Sequence, residues 1–169
     1  KVSVNLSAEQ FAAPELLGQI YFCLEVSGVD PESVLLEITE TSLIENQEHS
    51  AEVLSKIREM NMNVYLDDFG TGYSSLAYLE KFPLNGLKID KAFVSRFVNS
   101  PRRGAILQKV VELGQLLNMT VVAEGVEERD ELEALHEMDC DLVQGYYYAK
   151  PMPPEEVPEF LRDNALDGK

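Results

Sequence analysis

Tryptophan is absent from this 169-residue chain, cysteine and histidine occur twice each, and 14 basic residues stand against 30 acidic ones. Each shortage removes a class of function. Without Trp the commonest platform for stacking a sugar ring is gone, which argues against a glycoside hydrolase even though Glu37 and Glu124 could pair as acid and base. His49 and His136 fall in helical patterns away from strand ends, so a metallohydrolase built on imidazole ligands is not expected. Cys23 and Cys140 lie far apart and match no metal-ligand spacing; they read as reduced thiols in a reducing cytoplasm. A net charge of −16 leaves no broad basic face for duplex nucleic acid, because neutralising phosphates takes clustered Lys and Arg. No apolar run approaches the roughly 18 residues of a membrane span, and nothing resembles a cleaved secretory segment. The expected location is therefore cytoplasmic. The chain enters a strand-like pattern directly at Lys1, which reads as a piece of a longer protein whose other parts, membrane anchors included, lie elsewhere.

What is present is enough for a core. A hydrophobic content of 45% with 26% charged residues belongs to a globular domain rather than a disordered tail. Short apolar segments at Val2 to Leu6, Val34 to Thr39, Val64 to Phe69, Leu87 to Asp90, Thr120 to Glu124 and Leu142 to Tyr148 read as six strands. Amphipathic stretches lie between them. Ile106, Val110, Leu113 and Leu117, for example, are spaced to share one helical face. Regular alternation of strand and helix predicts a parallel sheet with right-handed crossovers.

The polar residues choose the architecture. Asn5, Glu37, Asp67 with Asp68, Lys88, Glu124 and Gln144 all fall at the C-terminal ends of predicted strands. In a doubly wound sheet a site gathers at one switch point, whereas a barrel brings many strand ends to one mouth. Six contributing strands favour an α/β fold of the TIM-like (β/α)8 kind. A complete barrel has eight units in about 250 residues, so residues 1–169 read as one domain, incomplete with six strand-helix units and truncated at its N-terminus. Pro153 to Asn164 reads as the closing helix.

If these ends converge, four carboxylates and one ammonium leave an uncompensated negative mouth. Unpaired buried carboxylates cost several kcal/mol each, on the order expected for desolvated charges, or protonate. Hard oxygen donors, with the Asn5 amide, are what Mg²⁺ or Mn²⁺ prefers. Adjacent carboxylates at Asp67 and Asp68 suit a pair of ions, and two ions suit in-line phosphoryl displacement. Phosphodiester hydrolysis is the expected chemistry. The run Gly70-Thr71-Gly72-Tyr73-Ser74-Ser75 lacks the Lys and spacing of a nucleotide phosphate loop and reads as a mobile strand-to-helix loop beside the site.

The segment Asp67-Asp68-Phe69-Gly70-Thr71-Gly72-Tyr73-Ser74-Ser75 resembles the most recognisable motif of EAL domains. Val4-Asn5-Leu6-Ser7, Glu37-Ile38-Thr39-Glu40, Leu87-Lys88-Ile89-Asp90, Ala123-Glu124-Gly125-Val126-Glu127 and Gln144-Gly145-Tyr146 are similar to the family's other motifs, in order. The resemblance implies a cyclic-guanylate-specific phosphodiesterase that opens cyclic di-GMP to linear pGpG with two Mg²⁺ or Mn²⁺ ions. It implies Asn5, Glu37, Asp67, Asp68 and Glu124 as metal ligands, with Lys88 holding the attacking water and Glu124 a ligand or base. Gln144 and Asp90 then support the site, while Glu40 anchors the loop that runs from Asp68 through Gly70, Thr71 and Gly72. It further implies a parent protein with sensor or GGDEF-type domains, and homodimers formed near that loop.

Two departures stand out. The name-giving Glu-Ala-Leu strand, with its metal-binding Glu and substrate Arg, is absent; Glu133-Ala134-Leu135 spells the tripeptide but sits in a helical stripe with Leu132 and Met138. Asn85 stands where an Asp is common before Lys88, and reads as a surface change in a turn. The competing expectation is an inactive EAL module that serves as a cyclic di-GMP receptor or a protein-interaction domain, and the chain alone is expected to be poorly active.

Overall fold

The computed structural model describes residues 1–44, 46–70 and 79–164. Six strands form one sheet in sequential order, each parallel to its neighbours: β1 (Val2–Leu6), β2 (Val34–Thr39), β3 (Asn63–Phe69), β4 (Gly86–Ile89), β5 (Thr120–Glu124) and β6 (Leu142–Gln144). Right-handed twist accumulated over sequential parallel strands curls the sheet into a half-barrel with helices on its convex side. The TIM-like expectation holds in this incomplete form. β1 and β6 are the edges, each hydrogen-bonded on one side only.

Alternation along each strand separates two apolar layers. Leu36, Ile38, Val64, Leu66 and Leu87 face outward and bury against the helix Gln47–Glu59, which contributes Leu54 and Ile57. Further round, Ile89, Val121 and Ala123 pack with Leu107 and Val111 of the helix Pro101–Leu116 and Leu135 of the helix Arg129–Glu137. Inside the curl, among the described residues, Leu35, Tyr65 and Val122 make a small apolar floor. Each fully buried Leu or Val in these layers stabilises by about 1.5–3 kcal/mol.

Some expected boundaries shift. β6 stops at Gln144 instead of Tyr148: residues 145–148 turn back, with the Tyr147 N–H donating to the Val126 carbonyl at 3.0 Å and the Tyr148 N–H to Gly145 at 3.1 Å. The closing helix is Val157–Asn164, because Pro153 and Pro154 hold the preceding residues in a turn. The helix Pro101–Leu116 keeps its expected face in part: Val110, Leu113 and Leu117 are partly buried against the core, but Leu107, Val111 and Gly114 lie deepest and Ile106 is 43% exposed. The cause is Gly114. A Cβ there would lie 2.3 Å from the Val121 Cγ2, so the helix approaches β5 through its smallest residue.

Asn85 is also more than a surface change. Its Oδ1 accepts the Val64 N–H at 3.0 Å, its own N–H donates to the Val64 carbonyl, and its carbonyl accepts from Thr120, so it ties the starts of β3, β4 and β5. An Asp would offer the same acceptor, which explains why the exchange leaves the fold alone.

Candidate active site

Parallel register brings the strand ends level: Asn5 lies beside Glu37, Thr39 beside Asp67, and Glu124 beside Gln144. At the centre stands Lys88 of β4, 5% exposed. Its Nζ lies 2.7 Å from Glu37 Oε2, 2.7 Å from Glu124 Oε1 and 3.0 Å from Asp67 Oδ1. Burial works against the ammonium, yet hydrogen bonds to Glu124, Glu37 and Asp67 outweigh it and raise its pKa above the ordinary Lys value. Lys88 is a fixed cation.

Neighbouring residues of a strand point to opposite faces, so Asp67 and Asp68 should not share a site. A bulge resolves this. Leu66 pairs with Leu87 and Phe69 with Ile89, so two residues of β3, both aspartates, span the interval that Lys88 alone fills on β4. Asp68 adopts φ 54, a left-handed conformation that Asp tolerates, and its N–H donates to Asp67 Oδ1 at 3.0 Å. Carboxylate oxygens of Asp67, Asp68 and Glu124 consequently lie within 4.8 Å of one another. Burial, then the charges of Asp67 and Asp90, raise the pKa of Asp68. Burial also raises that of Glu124, partly countered by Lys88. A cation would relieve both, and three hard oxygen donors in reach of one point fit a divalent ion. Glu37 is not part of that group; it meets it through Lys88. Asn5 is exposed at the end of β1, on the side of Glu37.

Supporting residues act on the backbone. Glu40, buried at the start of the helix Glu40–Ile44, accepts the Gly70 N–H at 3.1 Å, at the segment that leaves the bulge. Gly70 has φ 98, and a Cβ there would lie 2.5 Å from the Phe93 ring, so no larger residue fits. Thr71 and Gly72, with Tyr73 to Ser75, lie outside the described residues. Asp90 does local work, accepting the Ala92 N–H at 2.9 Å to cap the short helix Lys91–Val94. The Gln144 carbonyl accepts the Val126 N–H at 3.1 Å, tying β6 to the loop after Glu124. Glu133-Ala134-Leu135 is helix: Glu133 is exposed and pairs with Arg129 at 2.8 Å, and Leu135 is core. His49 and His136 are helical and remote. Below the carboxylates a cavity of about 250 Å³, lined by Ser3, Leu35, Glu37, Tyr65, Lys88 and Val122 among others, occupies the inside of the curl.

Sequence reading overlooked Glu131, a 4% exposed carboxylate that bonds two loops at the mouth, and the Thr39–Ser42 hydroxyl pair at 3.1 Å. An acid in the first turn of a helix is too common a capping signal to single Glu131 out.

The EAL domain model matches residues 1–151. The cyclic di-GMP phosphodiesterase NbdA of Pseudomonas aeruginosa is 39% identical over 167 residues, 99% of this chain and 21% of NbdA. Among solved structures, the PaMucR phosphodiesterase in complex with c-di-GMP superposes with a TM-score of 0.88 at 37% identity, over 93% of this chain and 64% of that one. The EAL domain of Mycobacterium smegmatis DcpA gives 0.91 at 30% identity, over 95% and 72%. The chain spans about a fifth of the length of several curated relatives, 20% for the signaling protein YkoW of Bacillus subtilis and 21% for NbdA.

Proposed function

Since the chain belongs to the EAL domain family, we propose that it is the greater part of a metal-dependent phosphodiesterase module that hydrolyses cyclic di-GMP to linear pGpG. The observation that carries this reading is the β3 bulge, which sets Asp67 and Asp68 on the same side as Glu124 around a buried Lys88. Asn5, Glu37, Asp67, Asp68 and Glu124 are the residues that would hold two ions, Mg²⁺ or Mn²⁺. When bound, such ions neutralise charge on the phosphodiester and make a bound water more acidic.

The chain's own residues supply the rest. Lys88, kept charged by its three carboxylates, has all three N–H groups engaged by them; once ions take over one of those carboxylates, the N–H it releases would orient the attacking water toward phosphorus. Glu124, whose carboxyl is held above its ordinary pKa, serves as a ligand or receives the water's proton. Glu40 and Gly70 set the direction of the chain leaving Asp68. Relatives such as the bifunctional diguanylate cyclase and phosphodiesterase MucR support a parent with GGDEF-type or sensor domains, and a cytoplasmic location belongs to the same proposal. Among the described residues no helix is long and apolar enough to cross a membrane. Pairing of two modules near the Asp68 loop is part of the same proposal.

A receptor role without turnover is the second reading: a solved relative of this fold holds c-di-GMP, and binding the dinucleotide does not itself require that it be hydrolysed. The two readings part in one assay. The full-length protein should convert cyclic to linear dinucleotide with Mg²⁺ or Mn²⁺, stop in excess EDTA, and lose at least about 10²-fold in turnover on Asp67→Asn. Undiminished turnover in EDTA would sink the metal mechanism. Binding without turnover under any metal would establish the receptor.

A further inference from the structure

Glu131 is a buried carboxylate to which the proposed chemistry gives no part. It is the third residue of the helix Arg129–Glu137 and is 4% exposed. Its Oε2 accepts the backbone N–H groups of Glu127 and Glu128 at 3.1 and 3.2 Å. Its Oε1 accepts the N–H of Arg96 at 2.9 Å, 35 residues away in the chain. Charge-assisted bonds of this kind are short, directional and about twice as strong as neutral ones.

Capping explains only half of this. A helix start needs acceptors for its own first N–H groups, and Oε2 provides that service. The bond to Arg96 serves no helix start of Glu131's own. Arg96, at φ 57, closes the connection from β4 through the helix Lys91–Val94 into the turn Phe97–Asn99. Glu127 and Glu128 close the loop that leaves β5 just after Glu124. One carboxylate therefore joins the segment downstream of Lys88 to the segment downstream of Glu124. The second of these has little slack, because Val126 is fully buried, its N–H donates to Gln144 and its carbonyl accepts from Tyr147.

We propose that Glu131 is a positioning residue for the Lys88–Glu124 pair: through the backbones of both loops it holds the Glu124 carboxylate against the ammonium and within reach of Asp67 and Asp68. Lys88 and Glu124 never touch Glu131, so the effect passes through the loops alone. The inference rests on the phosphodiesterase reading only for its kinetic consequence; the geometry and the metal affinity stand apart from it.

The informative variant is Glu131→Gln in the full-length protein. One side-chain oxygen stays and can keep the N–H groups of Glu127 and Glu128, while the new amide NH₂ faces the Arg96 N–H and cannot accept it. The cap survives and the tie between loops is cut. Leu135→Ala, a buried apolar change on the same helix, is the stability control. Three quantities are read in each: the Lys88–Glu124 contact in a crystal structure, Mn²⁺ affinity from the free-ion EPR signal, and kcat and KM for cyclic di-GMP. In Glu131→Gln the contact should open beyond hydrogen-bond range. Mn²⁺ affinity and kcat should each fall about 10- to 100-fold, with KM within about twofold. Leu135→Ala should lower Tm at least as far, yet keep the contact, the affinity and kcat when assayed well below both melting points. Retention of the contact and of wild-type affinity in Glu131→Gln overturns the proposal, as does equal loss of both in Leu135→Ala. Should the wild type bind Mn²⁺ and show no turnover, the phosphodiesterase reading falls while contact and affinity still judge Glu131. Should it bind no Mn²⁺, the metal assignment falls and the contact alone decides.

Discussion

Lys88 carries opposite demands. Deep burial disfavours its charge, three carboxylates require it, and the carboxylates win because each sits at hydrogen-bond distance. Removing one member of such a buried set costs about 3–5 kcal/mol by stranding the others. Lys88→Met should therefore lower the Tm of the metal-free protein, and added Mn²⁺ should recover part of that loss by supplying positive charge to the same carboxylates. In the loaded enzyme kcat should fall about 10²- to 10³-fold while calorimetric affinity for cyclic di-GMP stays within a few-fold. Lost affinity with normal turnover at saturation would make Lys88 a phosphate anchor instead. These residues were legible in the sequence because polar groups ending apolar strands violate the pattern of everything around them. Glu131 and Asn85 were not, since their work is done on backbone N–H groups at 2.9 to 3.2 Å, and such partners are set by tertiary approach rather than by residue type.

Two elements show where periodicity succeeds and where it stops. All six strands could be placed from apolar runs, five of them within about a residue at each end. The bulge in β3 could not. Two adjacent aspartates read as a shared cluster on chemical grounds, while strand alternation would have sent one of them outward; only the register shift between Leu66 and Phe69 reconciles the two. The helix Pro101–Leu116 was legible only in part: Val110, Leu113 and Leu117 pack against the core as expected, and Ile106 does not. Large apolar residues suggested a face through Ile106, and close approach at Gly114 turned it toward Leu107 and Val111. This yields a prediction with an unusual sign. Gly→Ala inside a helix ordinarily stabilises by about 0.5–1 kcal/mol. At Gly114 the new methyl would enter the space of a fully buried Val121, so Gly114→Ala should destabilise by about 1–3 kcal/mol in urea unfolding, less whatever helix propensity returns. A variant as stable as wild type or more so would mean that the helix can slide on β5 and that the close approach is not fixed.

At the scale of the molecule the sheet is half of a closed surface. Parallel strands are stable when both faces and both neighbours are covered, yet β1 and β6 each present an unpaired edge. The side chains agree with the topology: Val2 and Val4 are 66% and 44% exposed, and Leu142, directly beside buried Val122, is 51% exposed. The cavity inside the curl is lined by Ser3 of one edge and Leu142 of the other, so among the described residues the floor beneath Lys88 is bounded by the two edge strands. Packing at that floor bears on chemistry, because a ligand set must be held to within a fraction of an ångström to lower a barrier. The two solved EAL structures extend beyond this chain, which covers 64% and 72% of them. We expect residues 1–169 alone to turn over cyclic di-GMP at least about 10²-fold more slowly than a version lengthened by about 80 residues before Lys1, the complement of a complete barrel. The shorter chain should also unfold with a broader urea transition, as a core open on one side loses cooperativity. Assaying the two side by side under identical Mn²⁺ separates site from scaffold. If the specific activities are equal, the six strands and the residues at their ends are sufficient for catalysis, and the open edges are a feature of the working enzyme. If the longer version alone is active and Asp67→Asn silences it, the carboxylates described here are necessary, and the added strands supply what closes the barrel around them.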